Sequence, residues 1–334
     1  MKDLIKRMTE THGPSGSEER IREQIRKEIR GLADSVRVDT LGNLIAVKKG
    51  RGAKVMVAAH MDEIGFMVSH IDANGFLRIS NIGGIYLHNI ISQRVIFASG
   101  VVGAIGEERA EKPTDPKQLD KMYIDIGARN KKEAEAMVAV GDVAGFHRPC
   151  EFLGERVIAK AMDDRIGCAI MIEALKRLKK SPNEIHFVFT TQEEVGLRGA
   201  TTAAFGLDPD VGIAIDITGA FDTPDEKPKL PAVLGKGAAI KVKDSGMLAH
   251  PAVKQLMVAT AKANRIPHQL DILEGGTTDG AAIYKTRSGI PTGVISVPTR
   301  YAHSPSEMVD MTDVRACVDL LVKMLDLDLK KKLP

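Results

Sequence analysis

Tryptophan is absent from this chain, and aromatic residues make up only 4% of it. A platform for stacking sugars or bases needs aromatic faces, so the composition supports neither. An excess of one charge is missing too. The formal net charge is +3, and no Lys/Arg run is interleaved with aromatics, so no nucleic-acid partner is expected. The run Lys330-Lys331-Lys332 reads as a solvated tail. The three cysteines, Cys150, Cys168 and Cys317, are odd in number and form no Cys-x-x-Cys pair. That excludes a cysteine zinc site and fits reduced, buried thiols in a cytoplasmic protein. No apolar stretch is long enough to span a bilayer, and Met1-Lys2-Asp3-Leu4 lacks the apolar core of a signal peptide, so no membrane partner is expected either.

What remains is ordinary for a globular chain: 334 residues, 43% hydrophobic and 27% charged. Ser17 is placed to cap a helix carrying Glu18 and Glu19 in its first turn, with Ile21, Ile25, Ile29 and Leu32 forming one apolar stripe. Leu41 to Val47 reads as a strand. Over residues 68–156 the texture becomes short and alternating, with hairpin signals at Asp72-Ala73-Asn74-Gly75 and Ser99-Gly100 and one short helix near Lys131 to Met137. This block reads as a small β-rich domain inserted into a larger one made of residues 1–67 and 157–334. The larger part alternates strands with helices. The expected fold is therefore α/β, a mostly parallel, doubly wound sheet carrying an inserted β-rich domain.

Four apolar, strand-like runs end on metal-binding residue types. Val55 to Ala59 precedes His60, and Ile185 to Phe189 leads to Glu193 and Glu194. Val211 to Ile215 precedes Asp216, and Val294 to Val297 leads to His303. Open α/β sheets build their sites just past the carboxyl ends of such strands. The pair Asp163-Asp164 opens a further helix. So many carboxylates at one sheet edge need cations, and two ions are favoured over one. Asp62, two residues after His60, is placed to fix that ring's tautomer. One of Asp163 and Asp164, with Asp163 preferred, would bridge the ions while Asp164 caps the helix or pairs with Arg165. Of Glu193 and Glu194, one binds metal and the other faces the reacting water. Each signal has a bland counterpart in a capping, solvated or loop residue, and it is their conjunction that points to metal. The ligand set is N and O without thiolate, which suits Zn²⁺, Co²⁺ or Mn²⁺.

The motifs His60-Met61-Asp62-Glu63-Ile64-Gly65, Met162-Asp163-Asp164-Arg165-Ile166-Gly167, Gln192-Glu193-Glu194-Val195-Gly196-x-Arg198-Gly199 and Tyr301-x-His303-Ser304-Pro305 closely resemble the signatures of the M42 aminopeptidases. Gly13-Pro14-Ser15-Gly16, Asp39-x-Leu41-Gly42-Asn43-Leu44, Leu234-Gly235-Lys236-Gly237 and Thr278-Asp279 extend the likeness nearly end to end. The resemblance implies an aminopeptidase that removes N-terminal residues from short peptides, using two divalent ions per subunit, Zn²⁺ or Co²⁺, with Mn²⁺ a further candidate. It implies that His60 and Asp216 hold one ion, that Glu194 and His303 hold the other, and that Asp163 bridges both. Glu193 is then the general base, and Asp62 orients His60. It also implies a homo-oligomer, a dodecamer of dimers assembled through the inserted domain. Where the family often has Pro-Pro-His in that domain, this chain reads Glu111-Lys112-Pro113-Thr114-Asp115.

Two rival readings stand beside this one. Relatives have been labelled endoglucanases, but a glycoside hydrolase uses two carboxylates across a sugar and no metal. A non-catalytic, metal-stabilised assembly protein would more often use a closed, cysteine-containing site.

Overall fold

The four apolar runs become neighbouring strands of one sheet. In the computed structural model the described residues are 1–108, 118–224 and 232–333. Helices α1 (Lys2–Glu10) and α2 (Glu19–Glu28) precede strands β1 (Ser35–Val38), β2 (Leu44–Lys48) and β3 (Lys54–His60). Six strands follow: β4 (Gly65–Ile71), β5 (Leu77–Ile82), β6 (Arg94–Phe97), β7 (Val102–Glu107), β8 (Met122–Asp125) and, after the short helix α3 (Lys131–Glu135), β9 (Val143–Phe146). Then come β10 (Glu151–Leu153), β11 (Arg156–Ala159), α4 (Met162–Arg177), β12 (Glu184–Thr190), α5 (Arg198–Leu207), β13 (Val211–Gly219) and β14 (Ala238–Lys243). The chain continues through α6 (Pro251–Ala263), β15 (His268–Ile272), α7 (Gly280–Ile283), β16 (Thr292–Arg300), β17 (Glu307–Asp310), α8 (Met311–Leu325) and α9 (Leu329–Lys332).

The large sheet has the order β1-β2-β12-β3-β13-β16-β17-β11-β10, with β14 and β15 joined beside β16. Only the pairs β12–β3, β3–β13, β13–β16 and β14–β15 are parallel, and the others are antiparallel. The sheet is thus mixed, with a parallel centre, where the sequence led us to expect a mostly parallel one. The pairs β2–β12, β11–β17 and β14–β16 join antiparallel strands that are distant in sequence, while β1–β2, β10–β11 and β16–β17 are joined by short connections that return the chain antiparallel. The turn between β1 and β2 is an example: Asp39 Oδ1 accepts from the backbone N–H groups of Leu41, Gly42 and Asn43. It displaces the strand expected from Leu41, which begins at Leu44.

Alternate residues of the central strands face opposite layers. Val55, Val57, Ala59, Phe187 and Ile215 pack with α1, α2, α4, α6 and α8. Met56, Ala58 and Val188 pack with α5 and α7 on the other side. Strands β4 to β9 close into a barrel in the order β4-β5-β8-β7-β6-β9 around their own apolar core. The barrel ends at Phe146, and β10 already pairs with β11 in the large sheet. The Glu111–Asp115 segment lies outside the described residues. Ser17 does not cap α2. The N-cap residue is Glu18, whose carboxylate accepts from Gly16 N at 2.8 Å and Gln192 N at 3.2 Å. No helix among the described residues is long and apolar enough to cross a membrane.

Candidate active site

Because β12, β3, β13 and β16 lie side by side and parallel, their carboxyl ends deliver the expected residues to one place. His60 is the last residue of β3, opposite Thr190 of β12. Glu193 and Glu194 follow β12 in a turn closed by Gly196 N and Leu197 N on the Glu193 carbonyl, both at 2.9 Å. Asp216 sits within β13, which runs on to Gly219. His303 follows β16, and Asp163 comes from the first turn of α4, where the Asp163–Asp164 peptide is cis. Ala161, Gln192, Tyr301 and His303 all adopt left-handed backbone angles, with φ between 52° and 59°. Such strain in non-glycine residues gathers where a side chain must be aimed.

His60, Asp163 and Asp216 form one cluster of ligand atoms, and Asp163, Glu194 and His303 a second. Within each, the atoms lie within 4.8 Å of one another. Asp163 belongs to both: its Oδ1 is 2.9 Å from His60 Nε2 and its Oδ2 is 3.2 Å from His303 Nε2. Glu194 Oε2 is 3.8 Å from His303 Nε2. Glu193 stands beside them, with Oε2 3.9 Å from His60 Nε2.

Asp62 Oδ1 is 3.5 Å from His60 Nδ1, long for a hydrogen bond. Its oxygens also accept from Glu193 N (3.0 Å), Glu194 N (3.2 Å) and Ser15 Oγ (2.6 Å). Asp62 thus pins the backbone of the acidic pair as well as facing the imidazole. Asp164 caps its own helix through Gly167 N at 3.0 Å, while Arg165 binds the carbonyls of Met8, Thr11 and Gly13. The remaining histidines, His12, His70, His88, His147, His186, His250 and His268, belong to neither cluster.

The electrostatics are those of a site short of positive charge. Burial raises Glu193, Glu194 and Asp216 well above the usual carboxylate range. Asp216 adds to it at Glu193, and Asp163 adds to it at Glu194 and Asp216. Burial also opposes ionised Asp163, but hydrogen bonds from His303 and His60 overcome it and hold its pKa low. For His303 burial works downward, yet Asp163 and Glu194 carry its pKa up to about 11. Glu194 Oε1, Asp164 Oδ2 and Asp279 Oδ1 are buried without a hydrogen-bond partner. Orphaned carboxylate oxygens and two imidazole Nε2 atoms converging on shared oxygens are the donor set a divalent ion takes.

Sequence reasoning missed Glu307. Its Oε1 accepts from His303 N at 2.8 Å and its Oε2 from Asp163 N at 3.0 Å, so one carboxylate ties the backbones of two cluster residues together. Asp279 stands out in the sequence only as part of the Thr278-Asp279 motif. It is buried and accepts from Thr190 Oγ1, and burial pushes its pKa up to about 6. A cavity of 1640 Å³ opens over the clusters, with Leu197, Phe221, Ile272, Leu273 and Tyr301 among its walls.

The family model for M42 glutamyl aminopeptidase matches residues 42–320. The chain belongs to this family. Over 97% of its length it is 54% identical to a protein of Acetivibrio thermocellus that carries the provisional name aminopeptidase, covering 98% of that protein. Its fold matches the aminopeptidase APDkam598 of the archaeon Desulfurococcus kamchatkensis with a TM-score of 0.94 at 40% identity, covering 97% of this chain and 94% of that one. It also matches the TET1 peptidase of Pyrococcus horikoshii, which can assemble into a tetrahedron or a large octahedral shell. There the TM-score is 0.87 at 33% identity, covering 97% and 98% of the two chains. As an M42 protein the chain is a metal-dependent aminopeptidase, a hydrolase of peptide bonds. Neither the glycoside-hydrolase reading nor the metal-stabilised assembly reading is favoured.

Proposed function

We propose that the two clusters hold two divalent ions, Zn²⁺ or Co²⁺ with Mn²⁺ a further candidate. His60 and Asp216 would hold one, Glu194 and His303 the other, and Asp163 both. The observation that carries this reading is that the clusters share Asp163 and nothing else. When bound, such ions polarise the scissile carbonyl and acidify water. Glu193 belongs to neither cluster yet borders the cavity, and so is free to act as general base. It takes the proton of the attacking water and passes it to the leaving amine. Burial, reinforced by Asp216, Glu194 and Asp279, makes its carboxylate a stronger base than a solvated one. Asp62 positions His60 and, through Glu193 N and Glu194 N, the acidic pair. The substrate is a short peptide, bound by its N-terminal residue in the cavity.

The doubly wound, di-metal exopeptidase plan is part of the same reading. We assign residues 68–156, which include most of the barrel, to oligomerisation and substrate access. The assembly we expect is a dodecamer built from dimers, by analogy with the dodecameric PhTET1-12s structure, which matches this chain at 33% identity with a TM-score of 0.88. Three buried cysteines with no disulfide among them suit the cytoplasm.

The test is Glu193→Gln. It keeps the shape of the side chain, so both ions should remain by elemental analysis, while kcat on aminoacyl anilides should fall at least about a hundredfold. Wild-type turnover would remove Glu193 from the role of base.

A further inference from the structure

His303 is the most exposed member of the two clusters, its side chain 32% accessible against 10% for Asp163, 3% for Glu194 and 1% for His60. It also sits on a loop, at φ 59°. Something must hold its ring. Nε2 faces Asp163 and Glu194, and Nδ1 lies 2.7 Å from the carbonyl oxygen of Gly84. A carbonyl oxygen only accepts, so Nδ1 carries a proton, and Nε2 is the ring atom that would give up its own proton to take an ion.

Gly84 does not belong to the α/β layers. It lies in the barrel, on the segment between β5 and β6. A side chain at Gly84 would put its Cβ 3.0 Å from His303 Nδ1 and 3.3 Å from Cε1. One at Gly83, whose φ is +74°, would meet Ile64 Cγ2 at 2.7 Å and Glu194 Oε2 at 3.0 Å. Two bare backbone units therefore press on His303 and Glu194, the members that the second cluster does not share with the first. Neither glycine has His60 or Asp216 among its close contacts. Gly84, Ile85 and Tyr86 also form part of the cavity wall.

We infer that Gly83 and Gly84 are positioning residues for one of the two metal subsites. The Gly84 carbonyl locks His303 in its Nδ1–H tautomer, and the missing side chains let the barrel close on Glu194 and His303. This rests on the reading that those two residues hold an ion. The barrel thereby supplies part of the catalytic centre of its own subunit, whatever it does between subunits.

Gly84→Ala tests this by competitive chelation of the Zn²⁺-loaded enzyme. The expected result is that one of two bound ions is held about 10- to 100-fold more weakly while the other keeps its wild-type affinity. Circular dichroism and thermal unfolding of the metal-free variant should match wild type. Unchanged affinity at both subsites overturns the inference, and so does an equal loss at both. If the wild type itself binds a single ion, it is the two-ion reading that fails. A second measurement needs no variant. In a long-range ¹H–¹⁵N spectrum of the Zn²⁺-loaded wild type, His303 Nδ1 should carry a proton, and an unprotonated Nδ1 overturns the assignment.

Discussion

Asp163 is the side chain on which both clusters depend, one oxygen 2.9 Å from His60 and the other 3.2 Å from His303. Asp163→Ala removes a ligand from each subsite at once. Metal content after dialysis should fall to near zero, whereas Glu194→Ala should spare the His60 and Asp216 subsite. Full occupancy in the Asp163 variant, measured by elemental analysis, would refute its shared role. A different residue governs stability at the site's margin. Glu18 is buried, and burial, reinforced by Asp62, pushes its carboxyl up to about 7. The folded state thus keeps a proton there that the unfolded chain releases near pH 4.5, so stability is lost as pH rises from about 4.5 to about 7. Glu18→Gln keeps an oxygen for Gly16 N and Gln192 N and removes the charge. In chelated protein the variant should gain on wild type across that window by at most about 3 kcal/mol, at 1.36 kcal/mol per pKa unit. Parallel pH profiles of Tm for the two proteins would exclude this cause.

At the scale of elements, a buried charge network joins the segments that carry the site. Glu63, in the link from β3 to β4, accepts from Gly13 N at 3.0 Å and faces Arg165 of α4 at 3.4 Å and Lys160 at 2.5 Å. The side chains are 2%, 0% and 4% accessible, so each cation relies on this carboxylate. Glu63→Gln leaves two buried cations facing a neutral amide and should cost about 3–5 kcal/mol in chemical denaturation. Adding Lys160→Met should recover part of that loss, and a double variant no better than the single would count against the network. The same scale explains what the sequence could reveal. An apolar run followed by His60, Asp216 or a Glu pair carries both its burial and its ligand within a few residues. Such a run says that both faces are covered, but it does not give the direction of the neighbouring strand, so the antiparallel edges went unread. Strand β1 is exposed at all four positions, and its alternation of Ser35, Val36, Arg37 and Val38 is too short to mark a strand. Glu307 and Gly84 act on residues from other elements, and Gly84 reaches His303 across 219 positions. No periodicity of a single segment encodes such a contact.

For the whole molecule, the central question is what the barrel faces. Its core is separate from that of the α/β layers, and its chain leaves at Glu63 and returns past Phe146. The two bodies are tied by polar contacts: Arg20 to the Ala98 carbonyl, and His12 Nε2 to the Val143 carbonyl at 3.3 Å. Yet the barrel leaves apolar side chains uncovered, with Met67 39%, Val102 40%, Met137 38% and Val140 62% exposed. Single exposed apolar residues are common, but several on one small barrel suit a surface that another subunit covers. If the barrel mediates assembly, sedimentation of the purified protein should give about 430 kDa, the mass of twelve 36.1 kDa chains. Val140→Asp places a charge at the most exposed of these positions, where burial in an interface would cost several kcal/mol. Sedimentation should then shift toward dimers or monomers, while the Tm of the isolated subunit changes little. A variant that stays at the wild-type mass would place the interface elsewhere on the chain. The Gly84 contact would stand in either case, because it lies within one subunit.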